Sequence, residues 1–424
     1  MSRHRHHHHH GSLLESRPSR LTLMVLIPAA LITIAAMFVL WPSEQEVPRE
    51  AGEPPQRVAG VVTAVDREPC PKVPGGGEQP GGKPVNGCGS ATVRVSEGPD
   101  LGKKITAQLP SGPGAPVIAE SDHIMLMHLA DSAAGQEYQI IDHQRDTSLW
   151  LLLGAFALAV VAFGRWRGLA ALAGLGITFG VLLIFIVPAI LDGQPPLLIA
   201  IVGSAAIMLT VLYLTHGLSV STSVAVLGTL ISLVLTGVLS AVAVSAAHLT
   251  GVADEQSTYL GMNLGVNMQG LLLAGILIGS LGVLDDVTVT QAATVEELAR
   301  ANPRYGFTHL YVAATRVGRA HIASVINTIV LAYAGASLPL LILIAAGNNP
   351  LGQILTTPLI AQELVRSAVG TLGLIAAVPI TTALAALAVT RIPPQLTEPP
   401  GAEPGPAQAY QDEYGPEYAP GLHR

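Results

Sequence analysis

Asn267-Met268-Gln269-Gly270-Leu271-Leu272-Leu273-Ala274-Gly275-Ile276-Leu277-Ile278-Gly279-Ser280-Leu281-Gly282-Val283-Leu284-Asp285-Asp286 is the stretch on which the reading of this chain turns. From Gly270 to Leu284 it carries no charge. As a helix rising 1.5 Å per residue that run is only about 22 Å long, short of a bilayer hydrocarbon core of about 30 Å. A spanning helix here must therefore begin among Asn263 and Asn267 or continue past the two aspartates. Either way polar groups lie at membrane depth or at its edge. If the helix continues, Asp286, Thr290, Thr294 and Glu297 share one stripe at spacings of four, four and three. Asp285, Thr288 and Gln291 make a second polar stripe at spacings of three.

Apolar runs of this kind recur outward from it. Half of the 424 residues are apolar and 12% are charged, against about a quarter charged in a soluble chain. Spanning segments are expected at 21–41, 149–164, 168–190, 197–215, 218–247, 268–288, 321–346 and 367–390. The chain thus reads as an α-helical polytopic membrane protein of about eight transmembrane helices. Arg17 and Arg20 precede the first span and Arg165 and Arg167 follow the second. Arg300, Arg304, Arg316 and Arg319 follow the sixth, and Arg391 follows the eighth. The positive-inside rule then places both termini in the cytoplasm, with the bacterial plasma (inner) membrane as the expected location. The first run lacks a small-x-small cleavage site before Pro42, so it reads as an uncleaved anchor with Trp41 at the outer interface.

The organisation expected is a cytoplasmic tail at 1–20, an anchor at 21–41, an extracytoplasmic domain at 42–147, a seven-helix membrane domain at 148–391 and a disordered cytoplasmic tail at 392–424. Alternating runs at 58–65, 92–95, 104–109, 123–129 and 137–141 read as strands, with a turn signal at 97–102. Five strands in about a hundred residues suit a small all-β barrel or sandwich, an OB-like barrel among them. Cys70 and Cys88, the only cysteines, flank a Gly/Pro-rich loop, and in an exported compartment such a pair is expected to form a disulfide. A metal site there would need two further ligands, and the spacing of His123, His128 and His143 does not single one out. The run from His4 to His10 is either native or an expression tag and carries no functional reading.

The candidate solute or ion site is Asp286 and Asp285 with Thr290 and Gln291, joined by Asn327 and Thr328 from the next helix, where His321 and Ser324 lie on the same face. A carboxylate in low dielectric is costly unless paired, ion-bound or protonated, which is how coupled transporters use intramembrane acids. Against this stands a plainer reading, in which the aspartates cap the helix at the cytoplasmic interface near Arg300 or Arg316. Ser, Thr and Asn in membrane helices also commonly bond neighbouring helices rather than substrate. Pro188, Pro339 and Pro379 are candidate kinks or helix ends.

Gly282-Val283-Leu284-Asp285-Asp286-Val287, with Thr290-Gln291 and Glu296-Glu297-Leu298 behind it, resembles the YibE/F family of multipass bacterial membrane proteins. So does Arg316-Val317-Gly318-Arg319 leading into Asn327-Thr328 and Leu331 to Gly335. The likeness runs over roughly 149–390. It implies a permease-like protein with an N-terminal anchor and an exported β-rich domain, and it maps the family's acid onto Asp286, with Asp285 an extra one. It supplies no substrate and no catalytic residues. The expected function is a permease or secondary transporter of an ion or small solute. The alternative is a non-transporting envelope factor whose β-domain, residues 43–147, binds a partner or mediates a homo-oligomer. Neither an intramembrane-protease motif (GxGD, HExxH) nor a nucleotide-binding GxxxxGK[ST] is present. No enzymatic activity, cofactor, metal or nucleic-acid partner is expected.

Overall fold

The computed structural model describes residues 20–43, 56–68, 86–98, 100–111, 114–129, 137–347, 350, 352–353 and 356–391. Cys70, the His-rich start and the C-terminal tail lie outside them. Two compact units separate, Glu44–Leu172 and the remainder formed by Met1–Ser43 with Ala173–Arg424.

In the first unit an antiparallel sheet is built from β1 (Gln56–Glu68), β2 (Cys88–Val95), β3 (Lys104–Gln108), β4 (His123–His128) and β5 (Tyr138–His143). Their order in the sheet is β3-β2-β1-β4-β5, and the two edge strands, β3 and β5, approach one another. Period-two alternation sends Val58, Val62, Val93, Ile124, Leu126 and Ile140 to one shared core. The expected strands are all present, and β1 and β2 extend further into the Gly/Pro-rich segment than alternation alone suggested. Their ladder ends with Glu68 opposite Cys88. At the predicted turn Gly98 and Gly102 take positive φ, which glycine adopts without a Cβ penalty. Two residues ahead of β2, Asn86 is buried and bonds the backbone of Pro110, Pro116 and Ile118.

α2 (Asp146–Val181) begins in this unit. Its helical dihedrals break at Arg165 (φ 51°, ψ −127°), within the expected Arg165-Trp166-Arg167 loop. The bend is sharp: a Cβ on Gly168 would come within 2.3 Å of the Val160 carbonyl oxygen. A π-helical turn, Leu182–Ile186, and the short α3 (Val187–Leu191), with Pro188 in its first turn, follow.

The second unit is helical. α1 (Arg20–Val39) packs on α4 (Pro196–His216), and at its end Ser43 bonds Asp192 through both N–H and hydroxyl. Then come α5 (Val220–Ala246), α6 (Glu255–Asn263), α7 (Met268–Ala301), α8 (Phe307–Ala336), α9 (Leu338–Ala346) and α10 (Pro358–Arg391). α5, α7 and α10 pack against one another as the centre of the bundle, with α4 against α7, and α8 against α10 and α7. Met208, Leu212, Leu233, Leu277, Leu284 and Ala377 fill the space between them.

Six helices among the described residues are long and apolar enough to cross a membrane, counting Asp146–Leu191 as one. Several outgrow their predicted spans. α7 runs thirteen residues past 288, and α8 starts at Phe307 rather than 321, because Val295 on α7 and Leu310 and Ala314 on α8 have a core to bury into. The 321–346 run is two helices, broken at Ser337 just before Pro339. Pro379, by contrast, lies inside α10 without ending it.

Candidate functional site

α7 settles the choice posed by its short apolar run by extending in both directions. Asn267 caps its start, its side-chain oxygen accepting from the Gly270 N–H at 2.9 Å. The helix then continues unbroken through both aspartates to Ala301. Asp285 is seventeen residues in, about 26 Å from the first residue, so it caps nothing. Arg300 pairs with Glu296 and Glu297 on its own helix, not with the aspartates.

Adjacent residues on a helix point about 100° apart, and here that angle parts the two acids. Asp285 turns inward: its Oδ1 is fully buried and has no hydrogen-bond partner. Asp286 turns outward, its side chain 69% exposed, with Oδ2 4.0 Å from Nε2 of His321 on α8.

The stripe that Asp285 begins is the interior one. Thr288 and Gln291 are buried. Gln291 donates through Nε2 to the Ala314 carbonyl on α8 at 2.9 Å and to the Thr382 hydroxyl on α10 at 2.8 Å. Thr288 meets Thr229 of α5, hydroxyl to hydroxyl, at 2.5 Å. Those two hydroxyls also contact the carbonyls of Asp285 and Ala225. Two protons cannot serve three contacts, so one carbonyl goes without its side-chain donor. Glycines let the helices close on this belt. A Cβ on Gly318 would fall 2.6 Å from Gln291 Oε1, one on Gly228 2.4 Å from Thr381 Oγ1, and one on Gly373 2.1 Å from Thr236 Oγ1.

The structure thus gathers Asp285 and Gln291 of the sequence-derived set into one belt between α5, α7, α8 and α10. It leaves Asp286 and Thr290 on the exposed side of α7. Asn327 and Thr328 are exposed on α8, the Thr328 hydroxyl bonding Ser324 O of its own helix. Thr229, Thr381 and Thr382 join the belt without having been singled out. For α5 the signal was in the sequence: Thr222, Thr229, Ser232, Thr236 and Ser240 recur at seven, three, four and four, one face of a helix, and all five are buried. Ser232 and Thr381, like Asp285, hold a buried oxygen with no partner.

Residues 152–391, more than half of the chain, match the family model described as YibE/F-like protein. No curated protein and no solved structure matches the chain.

Proposed function

The chain belongs to the YibE/F-like family, and from that membership and the polar belt we propose a permease or secondary transporter of an ion or small solute, with Asp285 as the group that binds a proton or cation during transport. One observation carries the proposal. A carboxylate oxygen is buried in the middle of a membrane-spanning candidate helix with no protein donor. Buried polar atoms are almost always partnered, and an acid left this way calls for a proton, a cation or water. Asp286, exposed itself and 4.0 Å from the buried, unpartnered Nε2 of His321, is the second acid of the pathway. The protein acts without catalysing a covalent reaction.

Reconstituted vesicles under an imposed pH gradient test this. Asp285→Asn abolishes solute-coupled proton flux while leaving the unfolding temperature equal or higher, because it removes an unpartnered charge. Flux at the wild-type rate in Asp285→Asn overturns the proposal.

Eight crossings are the count we propose. Its supports are the 20-residue length of α1 and the 46 residues of Asp146–Leu191, about 70 Å of helix, interrupted at Arg165. With the arginines inside, both termini face the cytoplasm and the β-unit faces outward from the bacterial plasma membrane. The sheet order and the approach of β3 to β5 favour an OB-like barrel. Cys70 follows the Glu68–Cys88 pair by two residues, which favours its disulfide with Cys88. The separate compactness of the β-unit also supports a second reading, an envelope factor that binds a partner there. Under it, removing 43–147 abolishes function, whereas a permease keeps its flux.

A further inference from the structure

Above Asp286 on the same side of α7 lies a cavity of about 200 Å³ between α7, α8 and α10. Its walls are apolar, Ile276 and Leu374 among them, except for the hydroxyl-bearing Ser280, Tyr333 and Ser367 and the guanidinium of Arg366. Arg366 lies eight residues into α10, about 12 Å along its axis. A cation at such a position needs partners. Glu363 provides one, accepting from Nη1 at 2.8 Å. The other side of the fork is unused: Nε is fully buried and has no hydrogen-bond partner. One turn back on the same stripe, Gln362 is 7% exposed and its Nε2 is buried without a partner as well.

We propose that this cavity binds an oxyanion carried on a short apolar body, its oxygens taking the part of the Arg366 guanidinium that Glu363 leaves free while its apolar part lies against Ile276 and Leu374. Arginine presents N–H groups in pairs that match the two oxygens of a carboxylate or the edge of a phosphate. A neutral oxygen accepts from one N–H, whereas an oxyanion also offsets the guanidinium charge and makes the stronger, charge-assisted bond. The Glu363 carboxylate holds the guanidinium in place and competes with the ligand for it. The Gly279 position opens the cavity toward the Tyr333 hydroxyl, which a Cβ there would approach to 3.4 Å. This site stands apart from the transport reading, because it requires binding and not movement. Flux lost in Asp285→Asn leaves it intact, and binding lost in an Arg366 variant leaves the role of Asp285 untouched.

The oxyanion has two sources, a free solute or an anionic lipid headgroup, and the test separates them. Full-length protein in neutral detergent is titrated with hexanoate and with hexanol, and thermal unfolding is followed. Hexanoate raises the unfolding temperature and hexanol does not. Arg366→Gln abolishes that shift. Gly370→Val, whose added Cβ meets only Ser280 Cβ at 3.9 Å, fills the cavity and abolishes it too, and its unfolding temperature without ligand stays near that of wild type. Glu363→Gln enlarges it. In a parallel arm, nanodiscs of phosphatidylglycerol and of phosphatidylcholine are compared. Arg366-dependent stabilisation by the anionic lipid alone assigns the headgroup as the source and supports the site equally. Equal shifts in wild type, Arg366→Gln and Gly370→Val overturn the proposal. So does the absence of any shift with hexanoate and with phosphatidylglycerol.

Discussion

Replacing Gln291 by alanine would take the side-chain donor from the Ala314 carbonyl and a partner from the Thr382 hydroxyl at once, and would leave a void where α7, α8 and α10 meet. A buried polar group deprived of its partner costs about 1–3 kcal/mol. The purified Gln291→Ala protein should therefore unfold at lower temperature than wild type. A Gln291/Thr382 double-mutant cycle should show coupling, and additivity would mean that the bond carries no weight. In the β-unit, Tyr138 donates to Asp100 Oδ2 at 2.7 Å and Lys103 bonds Oδ1. Burial, and then the bond to Asp100, pushes the Tyr138 phenol up to about 12. The stability this brings is present below the ordinary phenol pKa of about 10 and is lost as pH rises toward 12. Asp100 runs the other way. The Lys103 and then the Tyr138 hydrogen bonds hold its carboxyl below the usual range, so its contribution is present near neutrality and fades in acid. Melts of the β-unit should fall off at both extremes, and Tyr138→Phe should flatten the alkaline limb. An unchanged alkaline limb would rule out the phenol as its source.

At the scale of the element, α7 is an unbroken helix of 34 residues, and its two neighbouring acids serve different surroundings because helical rotation sends them apart. Single cysteines report this directly. Asp286→Cys should react with a water-soluble thiol reagent faster than Asp285→Cys, and Thr290→Cys should follow the first while Gln291→Cys follows the second. Equal rates at 285 and 286 would mean that the helix does not pass through the aspartates in this register. The glycines belong to the same scale. Gly228 facing Thr381 and Gly373 facing Thr236 bring α5 and α10 together closely enough for threonine hydroxyls to sit in grooves between helices. In lipid, packing of this kind replaces the hydrophobic drive that is absent between apolar surfaces.

For the whole molecule, the separation into two compact units implies that residues 44–145 fold without the helices. Expressed alone, that piece should show the circular dichroism of a β-protein and a cooperative melt, and a disordered spectrum would refute its independence. The sequence by itself determined the membrane class, the five strands, the turn at 97–102 and the family. Each of these depends on local composition, on a period of two or 3.6, or on a motif, all of which survive in one dimension. Only the tertiary structure decided which acid faces inward. Asp285 and Asp286 begin two polar stripes about 100° apart, and which stripe faces inward is defined only by α5, α8 and α10. The same holds for Thr381 and Thr382, ordinary polar residues in an apolar run until Gly228 of α5 and Gln291 of α7 come against them. A buried environment is made by neighbours far away in sequence, and no pattern along one helix contains them.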